Sequence, residues 1–280
     1  MTIYFKTKTK LVRKFMDKYD FQVYKKPNLK QKLFEKQKID IFFHNDIVSK
    51  TDIYFINISS VLIVSSNATK ELMTNNDKIK TSPQNIYVIY PSVDIPKIDK
   101  QQKKIFLEKR NLHRKTTILY FTANEFKKTG VEVFCKIINS IEASNFIAVI
   151  SGKTSQLKPT VQLLNEMGLS KKIILTKETI FDISDIFILP TSNKLFAYNC
   201  LIAMANKNIV FAPQTNSASE LLDSFLVMDS CYDETISYRI NMLIENTDEL
   251  KLYQKINSKI AKKWTIKKQF KQLKKIIKAL

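Results

Sequence analysis

The fold is decided by one stretch of sequence, Ile118-Leu-Tyr-Phe-Thr-Ala-Asn-Glu-Phe-Lys-Lys-Thr-Gly-Val131. It begins with a short run of β-forming residues and continues through a polar loop that holds two lysines and a glycine. Apolar residues then recur at helical spacing, at positions 131, 134, 137, 138 and 141. A strand that feeds a helix through a short loop is the repeating unit of a parallel sheet, so this stretch predicts an α/β protein.

The same alternation continues on both sides of this stretch. Downstream we expect strands over 146–150, 172–175, 186–189, 209–212 and 225–228, with helices over 161–167 and 197–205 and a helical turn over 218–222. Upstream we expect strands over 3–5, 39–43, 52–58, 61–64 and 86–89, with helices over 10–19, 29–38 and 68–73. Two α/β halves, each with a parallel sheet, follow from this pattern.

Domain boundaries are predicted from changes in composition. Pro91 and Pro96 interrupt the alternation, and a strongly charged stretch follows. We predict a first domain over residues 1–95, a linker over 96–115, a second domain over 116–248 and a basic C-terminal segment of one or two helices over 249–280.

Glycine is scarce, and its scarcity excludes several functions. The 280 residues hold 3 glycines, where average usage would give about 20. No two are close enough for a G-x-G-x-x-G or a G-x-x-x-x-G-K-[ST] phosphate loop. All three lie in the predicted second domain, and Gly168 stands where a helix is expected to end in the left-handed conformation.

The chain is strongly basic, with a net charge of +20 from 46 basic and 26 acidic residues. Only four of the basic residues are arginines, and abundant Lys, Ile, Asn, Phe and Tyr are typical of AT-rich coding sequence. Codon bias therefore accounts for part of the charge. A basic surface still favours anionic partners. A nucleic-acid-binding protein is the least favoured interpretation, because no aromatic-basic platform or helix-turn-helix pattern is present.

The sequence predicts a cytoplasmic protein. Its first residues contain no apolar stretch of signal-peptide length, and no apolar run approaches the roughly 18–20 residues of a membrane span. The cysteines Cys135, Cys200 and Cys231 are widely spaced and form no disulfide or zinc pattern. Cys135 and Cys200 fall in apolar helical stretches, which predicts buried free thiols.

Three loops follow predicted strands and carry groups that suit a phosphate. The first spans residues 122–130, the second is Ser151-Gly-Lys-Thr154, and the third is Pro190-Thr-Ser-Asn-Lys-Leu-Phe196, which leads into a helix. Ligands of open parallel sheets bind beyond the carboxyl ends of the strands. Lysines and the N–H groups of a helix N-terminus can hold a diphosphate there.

At this point the sequence resembles the nucleotide-sugar glycosyltransferases of the GT-B fold. It is most similar to their retaining group, which includes the lipopolysaccharide core glucosyltransferases. That resemblance implies two Rossmann-like domains, the first of them reduced in size here. Besides the opening stretch, the resemblance rests on six motifs in the family's order over about residues 60–270. They are Val61-Leu-Ile-Val-Ser-Ser-Asn-Ala-Thr-Lys70, Ile86-Tyr-Val-Ile-Tyr-Pro-Ser-Val-Asp94, Ala148-Val-Ile-Ser-Gly-Lys153, Ile183-Ser-Asp-Ile-Phe-Ile-Leu-Pro-Thr-Ser192, Leu201-Ile-Ala-Met-Ala205 and Ser219-Glu-Leu-Leu222.

The resemblance implies transfer of a sugar from a nucleoside diphosphate to a bacterial cell-envelope acceptor such as lipopolysaccharide core. The donor then binds mainly in the second domain, and the acceptor faces the first. No metal cofactor is implied, because cations and N–H donors stabilise the leaving diphosphate. Fourteen donor-binding residues are predicted: Asn124, Lys127, Lys128, Gly130, Gly152, Lys153, Ser192, Asn193, Lys194, Phe196, Ala197, Tyr198, Asn199 and Glu220. His44 follows a strand of the first domain, where some family members place a functional histidine. The other interpretation, which we favour, is a polar histidine at the end of a strand.

Two departures from the family keep a second hypothesis open. Family members carry two glutamates separated by seven residues, and here Lys194 and Ile202 stand in their places. The first domain is also shorter than in full-size members. The alternative is a protein that keeps the fold but serves as a binding or partner subunit.

The C-terminal stretch likewise has two interpretations. Residues 251–280 hold eleven lysines and no acidic residue, with Leu252, Ile256, Ile260 and Trp264 spaced four apart. One interpretation is a helix on an anionic membrane surface, at the cytoplasmic face of the membrane. The other, which we favour, is the family's closing helix, which crosses back to brace the first domain.

Overall fold

The computed structural model describes residues 1–25, 38–45 and 48–280. They form two compact units, the first made of Met1–Ser92 with Trp264–Leu280 and the second of Val93–Lys263. Every strand pairing between described residues is parallel. The α/β fold class with two parallel-sheet domains and a C-terminal helix returning to the first one is therefore confirmed. No helix in the described ranges is both long and apolar enough to span a bilayer.

The first unit has a five-stranded sheet in the order β2-β1-β3-β4-β5. Its strands are β1 (Thr2–Phe5), β2 (Gln22–Val23), β3 (Ile39–His44), β4 (Ser59–Val64) and β5 (Ile86–Val88). Its described helices are α1 (Lys10–Met16), α2 (Lys50–Asn57) and α3 (Asn67–Thr74), with a C-terminal helix in addition. The helix predicted over 29–38 lies outside the described residues, apart from its last position.

Two apolar clusters cover the two faces of this sheet. Helix α1 and the C-terminal helix bury Phe15, Phe270 and Leu273 against Ile41 and Ile63 of the strands. On the opposite face, residues of α2 and α3 pack against other side chains of β3 and β4. The C-terminal helix thus belongs to the core of the first unit, and burial of its apolar stripe stabilises it there.

The second unit has a six-stranded sheet in the order β11-β10-β9-β6-β7-β8. Its strands are β6 (Thr117–Thr122), β7 (Phe146–Ser151), β8 (Ile173–Thr176), β9 (Ile186–Ile188), β10 (Ile209–Pro213) and β11 (Val227–Met228). The helices of the chain from here on are α4 (Lys100–Glu108), α5 (Phe126–Thr129), α6 (Val131–Asn139), α7 (Thr154–Glu166), α8 (Tyr198–Ala205), α9 (Ile236–Glu245), α10 (Thr247–Ala261) and α11 (Ile266–Lys278). Of these, α11 is the C-terminal helix of the first unit.

The strand predicted over 52–58 is wrong, because these residues belong to helix α2. Ser49 caps the helix and accepts from the Asp52 N–H, while the Asp52 carboxylate accepts from the Ser49 N–H. This reciprocal capping box is a strong start signal for a helix. Asp52, Phe55 and Ile56 then fall on one buried face, at helical rather than alternating spacing.

Two further stretches differ in detail from the sequence-based expectations. The stretch 96–115, expected as a linker, contains helix α4 and lies within the second unit. Residues 249–280, expected as a basic C-terminal segment of one or two helices, form α10 and α11, and the division between the two units falls between these helices.

Several local predictions are confirmed. Gly168 follows the end of α7 in the left-handed conformation, with φ +67°. Cys135 and Cys200 are buried free thiols on α6 and α8, and burial raises the pKa of each to about 12.

Candidate functional site

Each sheet has one place where the direction of chain progression reverses. In the second unit the chain runs from β6 outward through β7 and β8, then returns to the other side of β6 with β9. The crevice beyond the carboxyl ends of β6 and β9 is therefore a topological switch point, where ligands of such sheets bind. In the first unit the corresponding point lies between β1 and β3.

The second unit's switch point is walled by the two loops that follow β6 and β9. Gly130 ends the first loop with φ +93°, and a Cβ atom there would lie 2.0 Å from the carbonyl oxygen of Pro190 in the second loop. Only glycine permits this backbone-to-backbone approach. The Asn199 side chain adds a bond from α8 to the Thr122 carbonyl at 3.2 Å. Two of the three predicted phosphate loops are thus brought together.

The remaining predicted phosphate loop, residues 151–154, contacts the loop 122–130 through Phe126. A Cβ atom on Gly152 would lie 2.4 Å from the Phe126 ring, so the space beside this glycine is filled by that ring. Gly152 is one of the predicted donor-binding residues, but its described neighbour is an aromatic side chain. The Phe126 N–H donates to the Gln156 side chain at 2.9 Å, which fixes the first loop to α7.

Asn216 holds the loop before α8 in place, and the sequence-based prediction missed it. Its buried side chain donates to the carbonyl oxygens of Asn193 and Leu195 at 2.7 and 2.6 Å. It also accepts from the N–H groups of Ala197 and Ala218 at 3.2 and 3.0 Å. All four hydrogen-bonding valences of the amide are used. An asparagine directly before a helical turn is a capping signal that could have identified it.

The α8 N-terminus opens at this edge without a side-chain cap. Ala197 occupies the N-cap position, where serine, threonine, aspartate or asparagine would normally satisfy the first N–H groups. Phe196, Ala197 and Asn199 are half-buried around it, and Tyr198 is exposed. A helix end of this kind attracts anions through its N–H groups and its dipole.

Charged side chains surround the same edge. Lys128 is exposed and pairs with the exposed Glu125 at 2.6 Å, within one turn of α5. Lys127, Lys153 and Lys194 are also exposed. Exposed ion pairs are weak and exchange readily with other partners, so an incoming phosphate could compete with Glu125 for Lys128.

The remaining predicted donor residues lie on these loops or, in the case of Glu220, on a short helical turn. Asn124, Ser192, Asn193 and Glu220 are exposed at the surface, and Glu220 belongs to the short helical turn Ser217–Leu221 that Asn216 caps. Among the described residues no group of three or more His, Cys, Asp or Glu side chains is arranged to hold a metal ion.

The first unit's switch point holds a charged cluster built around a buried carboxylate. His44 ends β3 and is fully buried, with its Nε2 atom 3.6 Å from Oδ2 of Asp52. Lys6, directly after β1, donates to the same carboxylate oxygen at 2.7 Å. Ser49 donates to it from both its N–H at 2.7 Å and its hydroxyl at 2.6 Å. The sequence-based prediction identified His44 but missed Lys6 and Asp52.

The carboxylate of Asp52 is ionised in this setting. Its burial alone would raise the pKa, but the bonds from Lys6 and from the side chain and backbone of Ser49 outweigh burial and lower it. A buried anion therefore lies between a lysine ammonium and a histidine ring, at the sheet edge where a ligand of the first unit would bind.

Comparison with known proteins identifies the family. Residues 102–264 match the model of the family described as "Glycosyl transferases group 1". This match covers more than half of the chain, so the protein belongs to that family of glycosyltransferases. No curated protein matches the chain in sequence.

Solved structures show that the fold is that of GT-B glycosyltransferases. HepE of Anabaena, in complex with UDP and glucose, superimposes with a TM-score of 0.74 over 100% of both chains at 12% identity. A glycosyltransferase of Rickettsia africae gives 0.70 at 15% identity, over 99% of this chain and 89% of that one. WaaG, a glycosyltransferase involved in lipopolysaccharide biosynthesis, gives 0.69 at 10% identity over 98% of each chain.

Proposed function

We propose that this protein transfers a hexose from a nucleoside-diphosphate sugar, with the diphosphate at the switch point of the second unit. The observation that carries the proposal is the uncapped α8 N-terminus, held by Asn216 beside the backbone contact of Gly130 with Pro190. HepE, a protein of the same fold, has been crystallised with UDP and with UDP-glucose.

The proposed chemistry is stabilisation of a diphosphate leaving group. As the bond between the sugar and the phosphate breaks, negative charge develops on the phosphate oxygens. The N–H groups at the α8 N-terminus and the ammonium groups of Lys127, Lys128 and Lys153 are proposed to meet that charge. The proposal requires no metal cofactor, so donor binding should be unchanged after treatment with a chelator. Glu220 is proposed to lie on the nucleoside side of the donor.

The proposed acceptor is a cell-envelope saccharide of the lipopolysaccharide core type, bound at the first unit. The similarity of fold to WaaG motivates this choice. His44 is the proposed active-site residue of that unit, and the Asp52 carboxylate lies 3.6 Å from its Nε2 atom. Work on such an acceptor is proposed to take place at the cytoplasmic face of a membrane.

A catalytically inactive binding or partner subunit is the second candidate. The exposed Lys194 and the half-buried Ile202 stand where other members carry glutamates. Neither side chain can accept a hydrogen bond from a sugar or ribose hydroxyl as a carboxylate does.

Calorimetry and thermal shift with UDP-, GDP- and ADP-sugars separate these candidates. Donor binding with release of free nucleoside diphosphate supports the transferase. Binding without turnover on any acceptor supports the partner subunit. No binding to any nucleotide sugar would refute the donor site.

The variant Lys128→Ala tests the phosphate assignment. We expect it to weaken UDP binding at least about tenfold, because a charge-assisted bond to phosphate is lost. The matched control is Lys136→Ala, since Lys136 is also exposed and pairs with Glu132 at 2.8 Å, but on α6. Equal UDP affinity in the two variants would contradict the assignment of Lys128.

A further inference from the structure

Helices α1 and α11 of the first unit present a lysine-rich surface. The two helices pack against the same apolar cluster, and Lys14 and Lys274 approach the Phe270 ring from both helices, at 5.6 and 5.4 Å. We call this surface the α1–α11 face. Its cations are Lys10, Arg13, Lys14, Lys267, Lys268, Lys271, Lys274, Lys275 and Lys278.

The acidic residues nearest to this face in sequence are Asp17 and Asp20, which follow α1. Neither α1 nor α11 contains an acidic residue. Residues 251–280 hold eleven lysines and no acid, whereas all 26 acidic residues lie in the other 250. Codon bias toward lysine does not remove aspartate and glutamate, so it does not explain this asymmetry.

The apolar side of α11 is already in use. Phe270, Leu273 and Ile276 are buried in the core of the first unit. An amphipathic helix that inserts into lipid must keep its apolar side free for the acyl chains. Helix α11 therefore presents charge to its surroundings and retains no apolar stripe for insertion.

The chemistry of the face favours lipid phosphates over nucleic acid. It holds one arginine, and the aromatic rings of its two helices, Phe15 and Phe270, are buried. Proteins that bind nucleic acid use arginine forks and exposed rings for base edges and stacking. A field of lysines without these groups suits a surface of diffuse negative charge.

We propose that the α1–α11 face binds the anionic surface of a lipid bilayer by charge alone, with α11 lying along the membrane and no side chain inserted. This extends the proposed function, on which it rests only in the choice of a membrane as partner. Contact at this face would hold the first unit, and its proposed acceptor site, next to a membrane-embedded acceptor.

Vesicle flotation with the full-length protein tests the proposal. We expect binding to phosphatidylcholine vesicles that contain about 30% phosphatidylglycerol, no binding to pure phosphatidylcholine, and release at about 0.5 M salt, where screening is short-ranged. Binding that persists at this salt, or binding to pure phosphatidylcholine, would overturn charge as the mode of contact.

A pair of charge-matched variants tests the location of the surface. We expect the quadruple variant Lys267→Gln, Lys271→Gln, Lys275→Gln, Lys278→Gln to bind at least about 100-fold more weakly, since each lysine near an anionic surface contributes roughly fivefold. The control removes four exposed lysines of the second unit: Lys109, Lys115, Lys171 and Lys172. Equal loss in the two variants would assign binding to net charge and overturn the α1–α11 face.

Two further measurements keep the result interpretable. Circular dichroism melts establish that both quadruple variants fold, and their UDP-sugar affinity reports separately on the second unit. Competition with duplex RNA tests whether the face binds nucleic acid instead of lipid. If duplex RNA displaces the vesicles at lower concentration than soluble anionic lipid headgroups do, the membrane assignment is overturned.

Discussion

The two switch points of this molecule differ in the groups that line them. In the first unit, three ionisable side chains meet at the ends of β1 and β3, and the carboxylate among them is buried. In the second unit, the walls beyond β6 and β9 are mostly backbone, held by Gly130 and Asn216, and the charged side chains stand outside.

This difference indicates two kinds of ligand contact. A buried carboxylate bonded to a lysine, with a histidine ring 3.6 Å away, can position one polar group or one proton. An open helix end flanked by exposed lysines instead accommodates a large anion that carries several negative charges. One sheet architecture thus offers a directed contact in one unit and a diffuse anion site in the other.

The largest effect on stability is expected from the variant Gly130→Ala, which disrupts the close backbone contact between the two loops of the second unit. The new methyl group would meet the Pro190 carbonyl at 2.0 Å, in a left-handed conformation that disfavours any side chain. We expect a loss of about 3–5 kcal/mol in the free energy of unfolding, measured by chemical denaturation.

Gly168→Ala is the matched control, because Gly168 is also left-handed but a Cβ atom added there would meet no other atom within 4 Å. We expect it to cost only about 1 kcal/mol. Similar losses in the two variants would show that the contact with Pro190 does not constrain the fold.

A smaller but pH-dependent effect is expected from Asp52→Asn in the first unit. Asp52 is fully buried but the Lys6 side chain is 31% exposed, so water partly replaces the lost counter-ion of Lys6, and we expect a loss of about 2 kcal/mol at neutral pH. Because the folded pKa of Asp52 lies below its ordinary value of 3.8, the carboxylate stabilises the fold above that value. This contribution disappears as the pH falls from 3.8 through the lowered pKa.

Denaturation of both proteins across the acidic range measures this dependence. The wild type and the Asp52→Asn variant should converge in stability at low pH. A difference that stays constant down to pH values well below 3.8 would argue against an ionised Asp52.

Asn216→Ala is expected to act on the donor loop of the second unit. Four hydrogen bonds to the loop 193–197 and its surroundings are lost. At about 1 kcal/mol for a typical bond, partly replaced by water, we expect a cost of about 2 kcal/mol. UDP affinity should fall together with stability, whereas Asn199→Ala, which removes one bond to Thr122, should cost less.

The smallest expected effect on stability comes from Glu125→Gln. Its ion pair with Lys128 is exposed, so the melting temperature should not change measurably. Lys128 would be released toward an incoming phosphate, and UDP affinity should rise by a few-fold as measured by calorimetry. A fall in affinity would indicate that Glu125 itself contacts the donor.

Much of the fold could be predicted from local patterns in the sequence. The strands between residues 117 and 213 lie where the sequence predicts them, because fully buried parallel strands are continuous apolar runs, easily distinguished from amphipathic helices. The wrong strand at 52–58 lies where Tyr54, Phe55 and Ile56 form an apolar run too short for its period to be read. The capping box at Ser49 and Asp52 was the signal that could have corrected it.

The residues of the candidate site could likewise be predicted only in part from the sequence. The three phosphate loops could be found because each follows a strand directly, and the topology rule states that such loops share one edge. Lys6, His44 and Asp52 are separated by up to 46 residues, and nothing in their local patterns couples them. Asn216 likewise bonds to residues more than twenty positions away.

By itself, the sequence determined the α/β class, the division into two domains, the glycine-poor loops and the lysine-rich, acid-free C-terminus. These properties depend on composition and short-range periodicity, which are properties of the chain before it folds. Only the tertiary structure decided which side chains meet at the strand ends, that Phe126 fills the space beside Gly152, and that α11 turns its lysines outward. Those contacts arise when parallel crossovers bring distant strand ends to one edge, and burial then selects the face that each helix presents.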